Sequence, residues 1–487
     1  MARAWADRVG RGRAGRAARA SADRLADSAP MAAPSRRDAW APRIVRCGAA
    51  LLAALIVWRV FAVLVEPWDF GMLWEAGWEI PRGIDPYPPL GDPEIVGTTH
   101  QLVYPYLAAL PFVLFGLLPF AAAALVFLAV SIAAVVGAVW TAGARDPLAV
   151  PLVLLGSVTI VGLQIGSLNA LFLLGLVLAW RWRDRPWALG VLVGVLVTAK
   201  LFLAPLLAWL VLSRRYRATV VAAVLSGALV VLGLLVGPIG FGDYRELLGE
   251  LGTSEAHKGW SPTALFIAWG HADLAGVVTV ALAAALLGGA WWGYRRGHDE
   301  RLLYAAAVGV GLVASPIVWA HYLVLLVAPL LVLGARRATL LWFAATGWLL
   351  VLPHHVLERI PPDLVPWWPV AALTVALAAW VADQAVCPSG KASGWVATVL
   401  WTALGATVLL HPAGARPLVA LLWLLLCAEW VYRRTAPSAA PGRLNRRDGN
   451  DSGRQGNGSG DQVGARGAGD EAGAGRYPAG TGDRPGR

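Results

Sequence analysis

Apolar stretches recur along the chain from Leu51 to Tyr432, broken at intervals by short arginine clusters. No other feature constrains the fold as tightly. Runs of this length, one after another, exceed what a water-soluble core can bury, so the bilayer must act as solvent. The composition agrees: 57% of the 487 residues are hydrophobic and 15% are charged, too little polar surface to cover a soluble protein of this size. Inside a bilayer each backbone polar group needs a partner within its own segment, so the runs read as helices of an all-α, polytopic membrane protein. The formal charge of +11 does not point to nucleic acid. The basic residues sit between apolar runs and in the two tails, where cytoplasmic loops carry them.

The clusters fix the expected topology. Arg145, Arg181 to Arg185, Arg214 to Arg217, Arg295 to Arg301, Arg336 to Arg337 and Arg433 to Arg434 should all face the cytoplasm. They do so if residues 48–65 form the first span, 66–101 an outer loop, 102–118 a piece that stays on the outer side, and 120–142 the second span. Further spans are expected near 147–163, 168–181, 186–199, 201–213, 218–236, 272–294, 302–314, 322–335, 338–352, 366–383, 393–410 and 416–432. This gives a multi-pass plasma-membrane protein with about 12–14 transmembrane helices, an uncleaved first span and both termini inside. If 102–118 crossed, the clusters downstream would fall outside. Several spans are shorter than the roughly 20 residues a crossing needs. Broken helices are tolerated where their ends face protein or a wet cavity, and here they meet at Lys200 and at Ser315–His321. Four regions follow: an Arg-rich cytoplasmic tail (1–47), a membrane core (48–335), C-terminal transmembrane helices (336–434) and a polar cytoplasmic tail expected to be disordered (435–487).

Cys47, Cys387 and Cys427 fit neither a disulfide framework nor a metal knuckle. A Gly-rich phosphate loop, a zinc-type histidine pair and a Gly-x-Ser-x-Gly elbow are all missing from the sequence. The expected outer side instead collects Asp69, Glu75, Glu79, Asp85, Tyr87, the turn Gly166–Asn169, Lys200, the 237–271 loop, Ser315–His321 and His354–His355. That set suits transfer of a sugar from a phosphate, with a carboxylate taking the acceptor proton and cations holding the leaving group.

Asp69 sits just past the first span, between Trp68 and Phe70. An apolar setting is expected to raise its pKa, which helps a general base; the plain alternative is a helix-end acid. Lys200 lies in VLVTAKLFLAPLL with no acid within ten residues. A lysine inside an apolar run usually serves function, the alternative being a lysine snorkelling from a helix end. It is expected to hold phosphate, with His321 and either Lys258 or Arg82 assisting. A lone histidine such as His321 is otherwise a packing residue. Trp68, Trp74, Trp78, Tyr87, Tyr104 and Tyr106 read as sugar-stacking or as an interfacial belt.

Four stretches together carry a family resemblance. They are the first outer loop with Asp69, Glu75–Ala76 and Gly83–Tyr87; Tyr104–Tyr106; GSLN through AKLFLAP to SRRYRA; and SPIVWAHY. In this order they resemble glycosyltransferase family 87, the polyprenol-phosphate-mannose-dependent mannosyltransferases of the GT-C fold. Gly166–Ser167 stands where that family often has Gly-Gln, and His321–Tyr322 where it commonly has paired histidines.

The resemblance implies a GT-C membrane core with a catalytic first extracytoplasmic loop. It implies transfer of a hexose, mannose first, from a polyprenyl-phosphate-sugar to a glycolipid or glycan acceptor, with inversion. Asp69 would be the base, Lys200 and His321 the phosphate ligands, and Glu75, Tyr87, Asn169 and Trp319 the substrate contacts. Membrane lipids are the remaining partners. No cofactor and no metal are expected, the lipid-linked sugar being a substrate. A pentosyl (arabinofuranosyl) transferase and, in a different class, a lipid-linked-sugar flippase or transporter remain the alternatives.

Overall fold

The computed structural model describes residues 36–62, 67–91, 102–352, 367–386, 391–410 and 416–437. Among these residues the regular elements are all helical. The α-helices of six residues or more are α1 (Arg36–Ala62), α2 (Trp68–Glu79), α3 (Phe120–Thr141), α4 (Ala149–Leu155), α5 (Ser157–Gln164), α6 (Asn169–Arg181), α7 (Pro186–Ala199), α8 (Pro205–Leu212), α9 (Tyr216–Val236), α10 (Phe241–Glu255), α11 (Pro262–Ala268), α12 (Ala272–Arg295), α13 (Arg301–Ala314), α14 (Val327–Val332), α15 (Arg337–Leu350), α16 (Trp368–Val386), α17 (Lys391–Leu410) and α18 (Arg416–Thr435). His354–His355, Cys387 and nearly all of the 435–487 tail lie outside the described residues.

Among the described residues four helices, α3, α9, α12 and α16, are long and apolar enough to cross a bilayer. Their outward faces are apolar as well: Leu235 on α9 is 77% exposed and Val277 on α12 is 70% exposed. Faces of that kind need a lipid environment. The protein is an all-helical membrane protein. Between the long spans lie shorter apolar helices, including α6, α7 and α13, as the short runs in the sequence require.

Contacts between loops gather the arginine clusters at one end of the bundle. Arg215 grips Glu300 through two hydrogen bonds of 2.9 Å, and Trp209 Nε1 donates to the same carboxylate at 3.2 Å. Arg215 also reaches Asp184 at 3.3 Å. Asp299 N donates to Thr435 O at 3.0 Å. Next to Thr435, Arg434 pairs with the buried Asp383, which also accepts from Thr339 at 2.8 Å and from Trp430 at 2.7 Å. Arg337, two residues before Thr339, pairs with Asp146. One continuous set of contacts thus joins the polar turns that follow α3, α6, α8, α12, α14 and α18. A helix such as α7, which starts beside this end at Pro186, carries its last residues about 20 Å away at 1.5 Å per residue. The candidate site lies at that far end.

Two local features bear on the site, the first a departure from the sequence reading. The stretch after Pro67, read as loop, opens with the helix α2. The 102–118 piece is a string of short helical turns, Tyr106–Ala109, Leu110–Phe112 and Val113–Gly116, broken by Pro105 and Pro111. It packs backbone to backbone on α2: a Cβ on Gly77 would stand 2.2 Å from Phe112 O, and one on Gly116 2.6 Å from the Gly77 carbonyl.

Candidate active site

Asp69 occupies the first turn of α2, and its neighbour Phe70 fixes where it points. Phe70 is fully buried among Phe112, Phe115, Phe120 and Phe127, the closest ring centroid, that of Phe127, lying 4.8 Å away. Such a cluster combines area burial with ring geometry. Phe70 N also donates to Ile165 O at 3.2 Å, docking α2 on the turn between α5 and α6. The turn needs Gly166 at its centre. Its φ is +71°, and a Cβ there would stand 2.4 Å from Phe70 Cβ, so both backbone and space demand glycine. Docked this way, the Ser167 hydroxyl lies near enough to the Asp69 carboxyl to lower its pKa.

His321 comes from the other side. It sits in the 3-10 segment Ala320–Leu326, pressed against α5, where a Cβ on Gly162 would lie 3.3 Å from His321 Cβ. The strand of chain before it is held by Trp260 N to Val318 O at 2.7 Å and Ser261 Oγ to Pro316 O at 2.7 Å. His321 Nε2 ends 3.4 Å from Asp69 Oδ2, with side-chain exposures of 6% and 15%. The contact is at ion-pair distance but not aligned as a hydrogen bond, so Nε2 is left buried without a hydrogen-bond partner.

Lys200 terminates α7 in extended backbone (φ −151°, ψ 106°), and Pro205 restarts the helix as α8 after one 3-10 turn. Its ammonium donates to Tyr104 Oη at 3.1 Å and to Tyr322 Oη at 2.7 Å. It also stands 4.5 Å and 4.4 Å from the two ring centroids, close enough for cation–π attraction. Tyr322 stacks on Phe202 at 5.4 Å. The sequence offered Lys200 no evident partner. The structure corrects this, because residues far away in the chain enclose it.

The pKa expectation for Asp69 is also corrected. Burial does push the carboxyl upward, but the adjacent His321, the charge of Lys200 and the Ser167 hydroxyl outweigh it. Together they hold Asp69 below its ordinary value of 3.8. Farther along α2, Glu79 is pushed up to about 7 by partial burial and by the charges of Glu75 and Asp85.

Asp69, Lys200 and His321 are thus brought together. Tyr87 stands behind this group, its hydroxyl donating to Tyr104 O at 3.0 Å and its ring meeting Tyr244 edge-on at 6.0 Å. Asn169 opens α6 two residues after Ser167, with both amide atoms buried and unpaired. Glu75 lies half-buried on α2, and Trp319 half-buried at the start of the His321 segment. The two suggested helper cations do not join the group. Lys258 pairs with Glu255 at 2.7 Å, and Arg82 folds over Trp78 at 4.2 Å. Trp74 is occupied too, bonding to Leu118 O at 3.1 Å. Among the described residues no cluster of three His, Cys, Asp or Glu could hold a metal ion. Ser167 and Tyr322 are site residues that sequence reasoning passed over. Their signal was present, since both occupy positions where the chain departs from the family pattern.

An acid, a lysine and a histidine converge at one end of an all-helical membrane bundle, and the class that this fold and the family match below support is a membrane glycosyltransferase. Residues 102–316 match the model of glycosyltransferase family 87, and that match supports placing the chain in this family. No curated protein matches the chain. The matched stretch contains Tyr104, Ser167, Asn169 and Lys200, whereas Asp69 and His321 lie on either side of it. The three-dimensional contacts join these two to the family segment.

Proposed function

We propose that the protein transfers a hexose, mannose first, from a polyprenyl-phosphate-sugar to a glycolipid or glycan acceptor at the extracytoplasmic face, with inversion. The observation that carries this reading is the meeting of Asp69 with Lys200 and His321, residues that no local segment connects. In the reaction the acceptor oxygen attacks the anomeric carbon while its proton passes to the Asp69 carboxylate. The bond from that carbon to the phosphate oxygen breaks, and the polyprenyl phosphate departs with the electron pair. The charge growing on the phosphate meets the Lys200 ammonium and His321 Nε2. Cations already in place for developing charge lower the barrier more than ones that must be recruited.

The depressed pKa of Asp69 fits this cycle. The groups that hold it down are those assigned to the phosphate. A bound phosphate would draw on Lys200 and His321 and so return basicity to Asp69 as the donor arrives. Inversion follows from a single displacement with one carboxylate, since retention would need a second about 5 Å away. Glu75, Tyr87, Asn169 and Trp319 are assigned to substrate contacts around this group. The arginine end is assigned to the cytoplasm, which puts the site outside, where a lipid-linked donor is required because nucleotide sugars do not cross a bilayer.

The test is transfer from radiolabelled polyprenyl-phosphate-mannose in membranes holding the wild type or Asp69→Asn. The wild type should transfer label to lipid or glycan. Asp69→Asn should lose about 10²- to 10⁴-fold, the usual contribution of a positioned base, while still binding donor. Equal transfer by both would overturn the assignment.

A further inference from the structure

Two phenols surround the Lys200 ammonium, and their hydrogen-bonding capacity is only half used. Tyr104 and Tyr322 are each more than nine-tenths buried. Each phenol oxygen accepts a hydrogen bond from Nζ. An ammonium has only protons to give, so each phenol must turn its own proton elsewhere. Among the described residues neither proton meets an acceptor; the Tyr87 hydroxyl donates instead to the Tyr104 carbonyl. Nζ itself carries three protons, of which the two phenols take two. Three unspent donors therefore sit within about one hydrogen-bond length of a single nitrogen, beside His321, whose Nε2 also lacks a hydrogen-bond partner.

Buried donors without acceptors are costly unless something completes them. Tyr322 is held by stacking on Phe202, and Tyr104 is 5% exposed with its backbone carbonyl anchored by Tyr87. They are not free to turn to solvent. The missing acceptor must offer several oxygens at close spacing and carry negative charge, and a tetrahedral phosphate does both. Only one lysine is present and the acid Asp69 stands nearby, so the group is built largely from neutral donors around a single fixed cation. That balance suits one phosphate group better than a diphosphate.

We propose that Tyr104 and Tyr322 are phosphate-binding residues, each donating its hydroxyl proton to an oxygen of the lipid-linked phosphate while its oxygen and ring hold Lys200 in place. The inference rests on the reading of Lys200 as a phosphate ligand, and it gives a role to two residues to which the family resemblance gave none. Tyrosine at position 322 has a reason here. It keeps the donor that the second histidine of the commoner pair would bring, and it also clamps the lysine.

The test is a binding experiment that needs no sugar transfer. Purified full-length protein is titrated with farnesyl phosphate, with farnesol as the control lacking phosphate, and binding is followed by 31P line broadening and by calorimetry. Phenylalanine retains the ring and its cation–π contact, so Tyr104→Phe and Tyr322→Phe should each weaken farnesyl phosphate about 10- to 100-fold, the scale of a hydrogen bond to a charged group. Neither should change the response to farnesol. Combining Tyr322→Phe with Lys200→Met should cost less than the product of the two single losses, because they serve one phosphate. Unchanged farnesyl phosphate affinity in both phenylalanine variants, equal losses for farnesol, or no farnesyl phosphate binding by the wild type would overturn the proposal. Binding that depends on both phenols in a protein that transfers no sugar would support the phosphate site and refute the transferase reading alone.

Discussion

The carboxylate of Asp69 and the imidazole of His321 stand 3.4 Å apart, although one follows the first span and the other follows α13. The pair exists because α2 docks on the Gly166 turn through Phe70 while the His321 segment is pressed against Gly162. Acid and histidine are thus fixed by the same pair of helices, α5 and α6, and several expected behaviours follow from that scaffold.

The pH dependence of turnover should show two different acid limbs. Because the Asp69 pKa is lowered, the carboxylate in the free enzyme stays ionised as pH falls through the ordinary aspartate range. The acid limb of kcat/KM due to Asp69 therefore lies below that range. With donor bound, phosphate competes for Lys200 and His321, so the limb in kcat should lie at higher pH. Glu79, raised to about 7 by partial burial and by Glu75 and Asp85, stands apart from this group, so Glu79→Gln should leave both limbs in place. Coincident limbs in kcat and kcat/KM would argue against coupling between base and phosphate.

Lys200→Met should reduce transfer by roughly 10²-fold or more, the scale of losing one charge-stabilising donor. Its level in the membrane should be unchanged. Lys200→Arg should restore only part, because the gap between Tyr104 and Tyr322 is shaped to a compact ammonium and a planar guanidinium carries its donors differently. Initial rates alongside immunoblots of membrane fractions give both quantities.

Gly166→Ala and Gly143→Ala separate strain from positioning. Both glycines have positive φ, +71° and +79°, but only Gly166 faces a neighbour, Phe70 Cβ, at clashing distance. The left-handed backbone costs alanine about 1–2 kcal/mol at either site. Thermal unfolding should register a loss in both variants. Only Gly166→Ala should displace α2 and cut kcat, because Asp69 rides on that contact. A normal kcat in Gly166→Ala would show that the turn does not position the base.

Single cysteines at Asp85 and His257 should react with an impermeant maleimide added outside intact cells, in a background freed of native cysteines. Cysteines at Asp184 and Gly297 should react only after permeabilisation. The expectation rests on the arginine end facing the cytoplasm. Labelling of position 184 from outside would invert the map and move the Asp69–Lys200–His321 group to the inner face.

Much of this architecture was already legible in the chain. The apolar runs fixed the all-helical membrane class, because backbone in lipid has almost no other way to satisfy its hydrogen bonds. The arginine clusters sorted the loops into one set, and Arg215 with Glu300, Asp383 with Arg434 and Arg337 with Asp146 now tie that set together. Asp69, Lys200 and His321 stood out singly, since charge or imidazole within apolar sequence is rare enough to notice. What the sequence could not determine was their mutual distance or their partners. Such contacts depend on helix docking, and docking is decided by shape at a few points such as Gly166 against Phe70 and Gly77 against Gly116. For the same reason only the tertiary structure reversed the expected shift of Asp69. Its apolar neighbours in sequence argued for a raised pKa, whereas its neighbours in space are a lysine, an imidazole and a hydroxyl, and electrostatic interaction follows distance in space rather than along the chain.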